Sequence, residues 1–369
     1  MHPLPHLSTA LRWLLLAPAL PYGGQAVIEG VRMKGEQHAA VAMRRRDGSI
    51  DVIDREVKGR FQALSKLPLL RGFFILADML TLGTWALRES SQRYELDLEA
   101  AEAEKQGAAP EASKPVTSGP IPLSHIIMMA VSFAVAIFIF KLVPAMAATG
   151  VFSIAGWGPF KEIAEPTFGQ QFLANLIEGL VKLLIFVGYV YFVGKLHEIA
   201  RVFEYHGAEH IVINAYEDDE TRVQDIRFIQ QHSVAHPRCG TSFIAILILI
   251  SIVLFTALDW ATVAWFPALV EQNIPIWYIR WPLRILALPL LAGFSYEIIK
   301  AAFKYYGNPF LRPLLRFGMI FQALTTRRPS DDQVEVSLRS FNRARLLTEG
   351  IPEPEAAEDR AGLPEPAVS

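Results

Sequence analysis

The sequence predicts a predominantly α-helical, multi-pass membrane protein with about four transmembrane helices, a further re-entrant or interfacial helix, and a small N-terminal antiparallel β-sheet. Three observations lead there. Apolar residues make up 52% of the 369 residues, with a mean hydropathy of +0.28, and they gather in a few long runs instead of spreading evenly. Lys and Arg cluster on alternate sides of successive runs. Near the N-terminus, an Asp-Gly pair divides two β-prone stretches.

Residues 1–21 form an N-terminal extension. Leu11–Leu20 is apolar like a signal peptide, but it is short, broken by Pro18 and preceded only by Arg12, so it reads as an extension or helix. Residues 22–60 form a small β domain. Val27, Val31 and Met33 alternate with Ile28, Arg32 and Lys34. Asp47-Gly48 then separates Ala39–Arg46 from Ile50–Val57, a hairpin signal in which both turn positions want positive φ. Gly23-Gly24 is either a flexible entry to the first strand, the preferred reading, or a place where a phosphate approaches the backbone. Residues 61–106 are helical. Leu67–Leu87 is near spanning length but carries Arg71 and Asp78, so it is expected to be buried or re-entrant, with Ser90–Lys105 a polar helix after it. Residues 107–120 read as a flexible linker.

The transmembrane core covers residues 121–310. Its spans are expected at Pro122–Val143, Asn175–Leu196, Ser242–Leu258 and, with Arg284, Pro289 and Glu297 interrupting, Trp281–Ile299. Arg284 and Glu297 sit near span ends and can snorkel. Glu178 and Lys182 form an i,i+4 pair that is read as structural. The loops Pro144–Ala174 and Asp259–Ile279 are nearly free of Lys and Arg. The N-terminal region, Arg201–Arg238 and the stretch after Lys300 are basic. The positive-inside rule therefore places both termini and the 197–240 loop in the cytoplasm. Trp157, Trp260, Trp265, Trp277 and Trp281 fall at the outer ends, as an aromatic belt would. Residues 311–348 are C-terminal helices, including an interfacial Phe317–Thr326, and 349–369 form a disordered tail.

Net charge is only −2, so charge makes no case for nucleic acid. The Arg44–Arg46 cluster beside a membrane suits anionic lipid headgroups. Cys239 is the single cysteine. No intrachain disulfide can form, which suits the reducing side of a membrane. The partners expected are the lipid bilayer and those headgroups; no protein partner is identified.

The chemistry concentrates in the 197–240 loop. On a helix, His206 and His210 lie one turn apart on one face with Glu209 beside them. This H-x-x-E-H spacing matches the inverted zinc-protease pattern, in which Glu is the general base. His236 and Cys239 are the further ligands, and nitrogen with thiolate suits zinc. Glu204, Asn214 and Glu217 are orienting groups or alternative ligands, and Arg238 can neutralise an anion. The bland alternative is a hydrogen-bonded His pair with Cys239 as a small filler. Four protein ligands would make a metal site structural, and three plus water catalytic.

Several stretches resemble the YqhQ-type bacterial membrane proteins. They are Gly23 to Met33, Arg71-Gly72, Tyr205 to His210 with Asn214 to Glu217, His236 to Phe243, Ser295-Tyr296-Glu297 and Gln322 to Arg327. The resemblance runs in order from about Gly23 to about Arg345. Ile211-Val212 departs from the Lys-Thr common there and leaves the candidate ligands untouched. The resemblance implies a bacterial cytoplasmic membrane and a family of unknown function, described at most as predicted metal-dependent enzymes. Three readings follow: a zinc-dependent hydrolase at the cytoplasmic face, a non-enzymatic scaffold or assembly factor, and, last, a transporter.

Overall fold

The computed structural model describes residues 22–57, 67, 69–105, 123–158, 167–236, 239–265, 277–304, 309 and 312–351. The N-terminal extension, the 107–120 linker, Pro237, Arg238 and nearly all of the C-terminal tail lie outside the described residues. The fold is mostly helical, with a small N-terminal four-stranded antiparallel sheet, as the sequence predicts.

The strands β1 (Gly23–Val27), β2 (Gly30–Lys34), β3 (His38–Arg44) and β4 (Ile50–Glu56) form a meander in chain order. Val27 pairs with Gly30, so only Ile28 and Glu29 make the first turn, with Glu29 at φ +50°. That reversal places Val27 opposite to Val31 and Met33, correcting the single alternating run read from the sequence. No Gly or Asn marks the turn. Its unfavourable backbone is held from outside, because the Glu29 carboxylate takes a bidentate bond from Arg201 and one from Tyr205 Oη. At Asp47-Gly48 only Gly48 has positive φ (+87°). The connection runs from Arg45 to Ser49, longer than a two-residue turn, and Asp47 Oδ1 accepts from Ser49 N.

One sheet face, with Val31, Met33, Ala40 and Ala42, packs on α5 (His197–Asp218) and α11 (Asp331–Glu349). The other, with Val27, Val41 and Met43, packs on Trp85 and Ala86 of α1 (Arg71–Lys105). Ser340 of α11 reaches between strands, accepting from Met33 N at 3.0 Å and donating to Ala40 O at 2.9 Å. A capping box at Ser330 and Gln333 starts α11, and Gly350 at φ +66° ends it. The segments 22–60 and 311–348 thus share one core. The basic β3–β4 turn is neutralised by this chain's own acids: Arg45 pairs with Asp97 and Asp51, Arg44 with Glu335, and Arg46 with Glu104.

Among the described residues, three helical segments are long and apolar enough to cross a membrane: Val131–Ile154, Phe168–Val193 and Gly240–Thr262. The first begins in α2 (Leu123–Ile137) and passes a π turn at Phe138–Leu142 into α3 (Val143–Ile154). It therefore runs past Val143, where the sequence reading stopped it. Pro144 falls in the first turn of α3, where no N–H is required, and Val143 N bonds back to Phe138 O. The others are α4 (Phe168–Val193) and α7 (Gly240–Trp265). The fourth expected span is divided at Ala287 into α8 (Trp277–Leu286) and α9 (Leu288–Lys304), beside Pro289. From Arg71 onward the Leu67–Leu87 segment joins Ser90–Lys105 in the single 35-residue α1.

Several charges in these helices are paired. Arg71 makes a bidentate pair with Glu297, where Gly72 of α1 and Gly293 of α9 let the chains touch. Arg284 pairs with Asp259 and also reaches Asn175 Oδ1 at 3.1 Å. Asp259, which the sequence reading put in a loop, is buried within α7. Lys182 bonds Glu178 at 3.1 Å.

Phe341 sits at the centre of the shared core, with its ring 5.2 Å from Tyr22 and 4.9 Å from Tyr216. Phe341→Ala is expected to cost about 3–5 kcal/mol. Chemical unfolding of the detergent-solubilised protein would show it as an earlier transition, with the helical content of the apolar spans retained.

Candidate metal centre

Helix α5 is buried on almost every side between Tyr205 and Tyr216. Its apolar residues face the sheet and α11. Its polar stripe, His206, His210, Asn214 and Glu217, faces the segment 233–239 and α10 (Arg312–Thr325). Buried polar groups need partners, and each of the four has one. Gly207 allows the approach, since a Cβ there would collide with Arg327 O.

His206 Nδ1 lies 2.8 Å from Thr325 O, and His210 Nδ1 lies 2.6 Å from Val234 O. A carbonyl only accepts, so each Nδ1 carries a proton, and in the neutral imidazole that arrangement leaves the Nε2 lone pair for a metal. His206 Nε2 is 3.2 Å from Cys239 Sγ, and the two rings are 4.5 Å apart. One ligand atom from each of His206, His210 and Cys239 falls within 4.8 Å of the others. Tetrahedral zinc with bonds of about 2.0–2.3 Å sets its ligands about 3.3–3.8 Å apart, so small rotamer changes would close the set on an ion.

His236 stands beside this group, with its ring 5.7 Å from that of His210 and its Nε2 3.4 Å from Glu217 Oε2. Burial pushes its pKa down to about 4, against the opposing pull of Glu209. The imidazole is therefore neutral near pH 7, and the Glu217 contact is a long hydrogen bond, not an ion pair, although the distance fits either. Asn214 Nδ2 holds the segment by donating to Ser233 O (2.7 Å) and Ala235 O (3.2 Å). Glu204 points elsewhere, accepting from Gln333 Nε2 of α11 at 2.8 Å. Arg238 lies outside the described residues.

Glu209 leaves the ligand stripe toward the sheet. It is 6% exposed, and its Oε1 accepts from Gly24 N at 2.9 Å. A Cβ on Gly24 would stand 2.6 Å from Glu209 Cγ and 2.8 Å from Arg32 O. Gly24 is therefore neither a flexible entry nor a phosphate cradle, but the point where the sheet edge grips the H-x-x-E-H helix.

Sequence reasoning also missed Gln322 in α10. Fully buried, it accepts from His236 N at 2.9 Å and donates to His236 O at 2.6 Å and Ser242 Oγ at 2.8 Å. It sets the backbone that carries His236 and leads into Cys239 and α7. Its presence in the Gln322–Arg327 stretch was the available signal. One face of this helix is internal, since Phe321 and Gln322 are buried and Gly318 meets Ser242, while Ile320 is exposed.

A family model described as "Protein of unknown function (DUF1385)" matches residues 67–346, and the chain belongs to that family. It is 36% identical over 324 residues to "Uncharacterized protein YqhQ" of Bacillus subtilis (strain 168), covering 87% of this chain and 91% of that protein. No solved structure matches. Both matches agree with the YqhQ-type resemblance carried by the sequence motifs.

Neighbouring glycines offer an internal comparison. Gly24→Ala must displace Glu209 or the strand, an overpacking cost of about 1–3 kcal/mol. Gly23→Ala meets nothing within 4 Å and is expected to melt like the wild type. Equal melting of the two variants would contradict the close Gly24–Glu209 contact.

Proposed function

We propose that the protein is a zinc-dependent hydrolase of the bacterial cytoplasmic membrane, with its site at the cytoplasmic face. His206, His210 and Cys239 would be the three protein ligands. The observation that carries this reading is their convergence within 4.8 Å while both Nδ1 atoms donate to backbone carbonyls. A bound zinc ion with three protein ligands supplies a Lewis acid and a fourth position for water. His236, turned toward Glu217, supports three ligands in place of four.

Glu209 is the proton acceptor in this proposal. Gly24 N fixes one carboxylate oxygen and so sets the direction of the other. Asn214 and Gln322 act as positioning residues, holding the 233–239 segment from opposite sides. Arg238, next to Cys239, is retained as a group to stabilise an anionic substrate.

A second reading is a scaffold in which the same cluster is a structural clip. The observation favouring it is that the cluster ties α5, the 233–239 segment and α10 together. A structural site would recruit His236 as a fourth ligand.

Elemental mass spectrometry of the detergent-purified protein separates these readings. The hydrolase proposal expects about one zinc per chain, lost in His206→Ala/His210→Ala and in Cys239→Ala, and kept in His236→Ala and Glu209→Gln. Loss of zinc in His236→Ala would favour the clip. Wild-type protein without stoichiometric metal would end the metal proposal.

A further inference from the structure

Arg32 is a buried charge that neither the fold nor the candidate metal centre explains. The residue is 3% exposed, and its Nε and Nη1 have no hydrogen-bond partner. Among the described residues it makes no ion pair. A buried guanidinium without a close partner is costly.

Its surroundings follow from the register. Gln25 lies opposite Arg32 and Gly23 opposite Lys34. Strand alternation therefore puts Gly23, Gln25, Arg32 and Lys34 on the face toward α1. Gly83 of α1 closes on the Gln25 side chain there. Lys34 stands two residues from Arg32 on this face. Its ammonium is pushed below its ordinary range first by burial and then by Arg32, with Asp78 and Glu36 opposing. Glu209 is the one carboxylate whose charge is felt at Arg32, from beyond hydrogen-bonding distance. Two like charges thus share this face, and among the described residues no carboxylate forms an ion pair with either. Beside them is room: a Cβ built on Gly23 meets nothing within 4 Å.

We propose that this face of the sheet is an anion site, which takes the phosphate group of a phosphate mono- or diester beside Gly23, with Arg32 and Lys34 as its charged donors. A guanidinium fork with free donors matches phosphate oxygens, and the ammonium adds a point charge. Gly23 matters because a side chain there would fill the space. The same chemistry is carried by soluble phosphates and by phospholipid headgroups. The site stands without zinc at His206, His210 and Cys239. Its neighbour along β1 is Gly24, which grips Glu209 on the opposite face of the sheet.

The test is thermal melting of delipidated, full-length protein, followed through tryptophan fluorescence. One arm adds potassium phosphate against potassium chloride at matched ionic strength. The other compares nanodiscs containing phosphatidic acid with nanodiscs of phosphatidylcholine alone. Wild type is expected to gain about 2 °C per tenfold rise in phosphate above the dissociation constant. Arg32→Met and Gly23→Leu are both expected to lose that gain. Without anion, Gly23→Leu should melt like the wild type, and Arg32→Met at or above it, since it removes an unpaired buried charge. A response to phosphatidic acid alone, lost in both variants, supports the site with a lipid source. A shift that survives in both variants, or a wild type that answers neither probe, overturns it. So does an Arg32→Met protein that melts far below the wild type without anion, because the guanidinium would then be structural.

Discussion

Helix α5 carries His206, His210, Asn214 and Glu217 into the interior along one face, and much of the surrounding chain is arranged to supply them with partners. Water would satisfy these groups on a surface; in a packed interior the protein must do so. Backbone carbonyls of Thr325 and Val234 take the imidazole protons. The segment bearing those partners is in turn pinned by Gln322. The helix's other faces are apolar and bury the sheet and α11. One helix therefore organises both the candidate centre and the core shared by the sheet and α11, which is why site and fold share so many residues.

Most of the architecture was legible in the sequence where the signal is local. Apolar runs located α4 and α7, and Asp47-Gly48 located a turn. The errors came where a distant partner overrides a local rule. Pro144 suggested a helix end, but a π turn before it absorbs the missing donor. Asp259 suggested a loop, but Arg284 and Asn175 keep it in the helix. Glu29 gave no turn signal because Arg201 and Tyr205, far along the chain, hold it in place. In the candidate site, the spacing of His206, Glu209 and His210 was readable from helical geometry. The roles of Gly24, Gln322 and Arg32 were not, because each acts across a contact that composition does not encode.

The paired charges also bear on how the helices hold together. Arg71 with Glu297 joins α1 to α9, and Arg284 with Asp259 and Asn175 joins α8, α7 and α4. Each pair crosses between helices, so each specifies a neighbour as well as neutralising a charge. Glycines at the closest approaches, Gly72 and Gly293, make the first of these contacts sterically feasible.

The bond from Met33 to Ser340 spans 307 residues, and it sets a timetable for synthesis. The strands leave the ribosome first and the helix that covers them leaves nearly last. At about 5–20 residues per second, the apolar face of the sheet waits roughly 15–60 s for its cover. During that interval the apolar segments are being inserted nearby, with sticky strands alongside them. A chain cut short before α11 would carry its sheet with one apolar face uncovered.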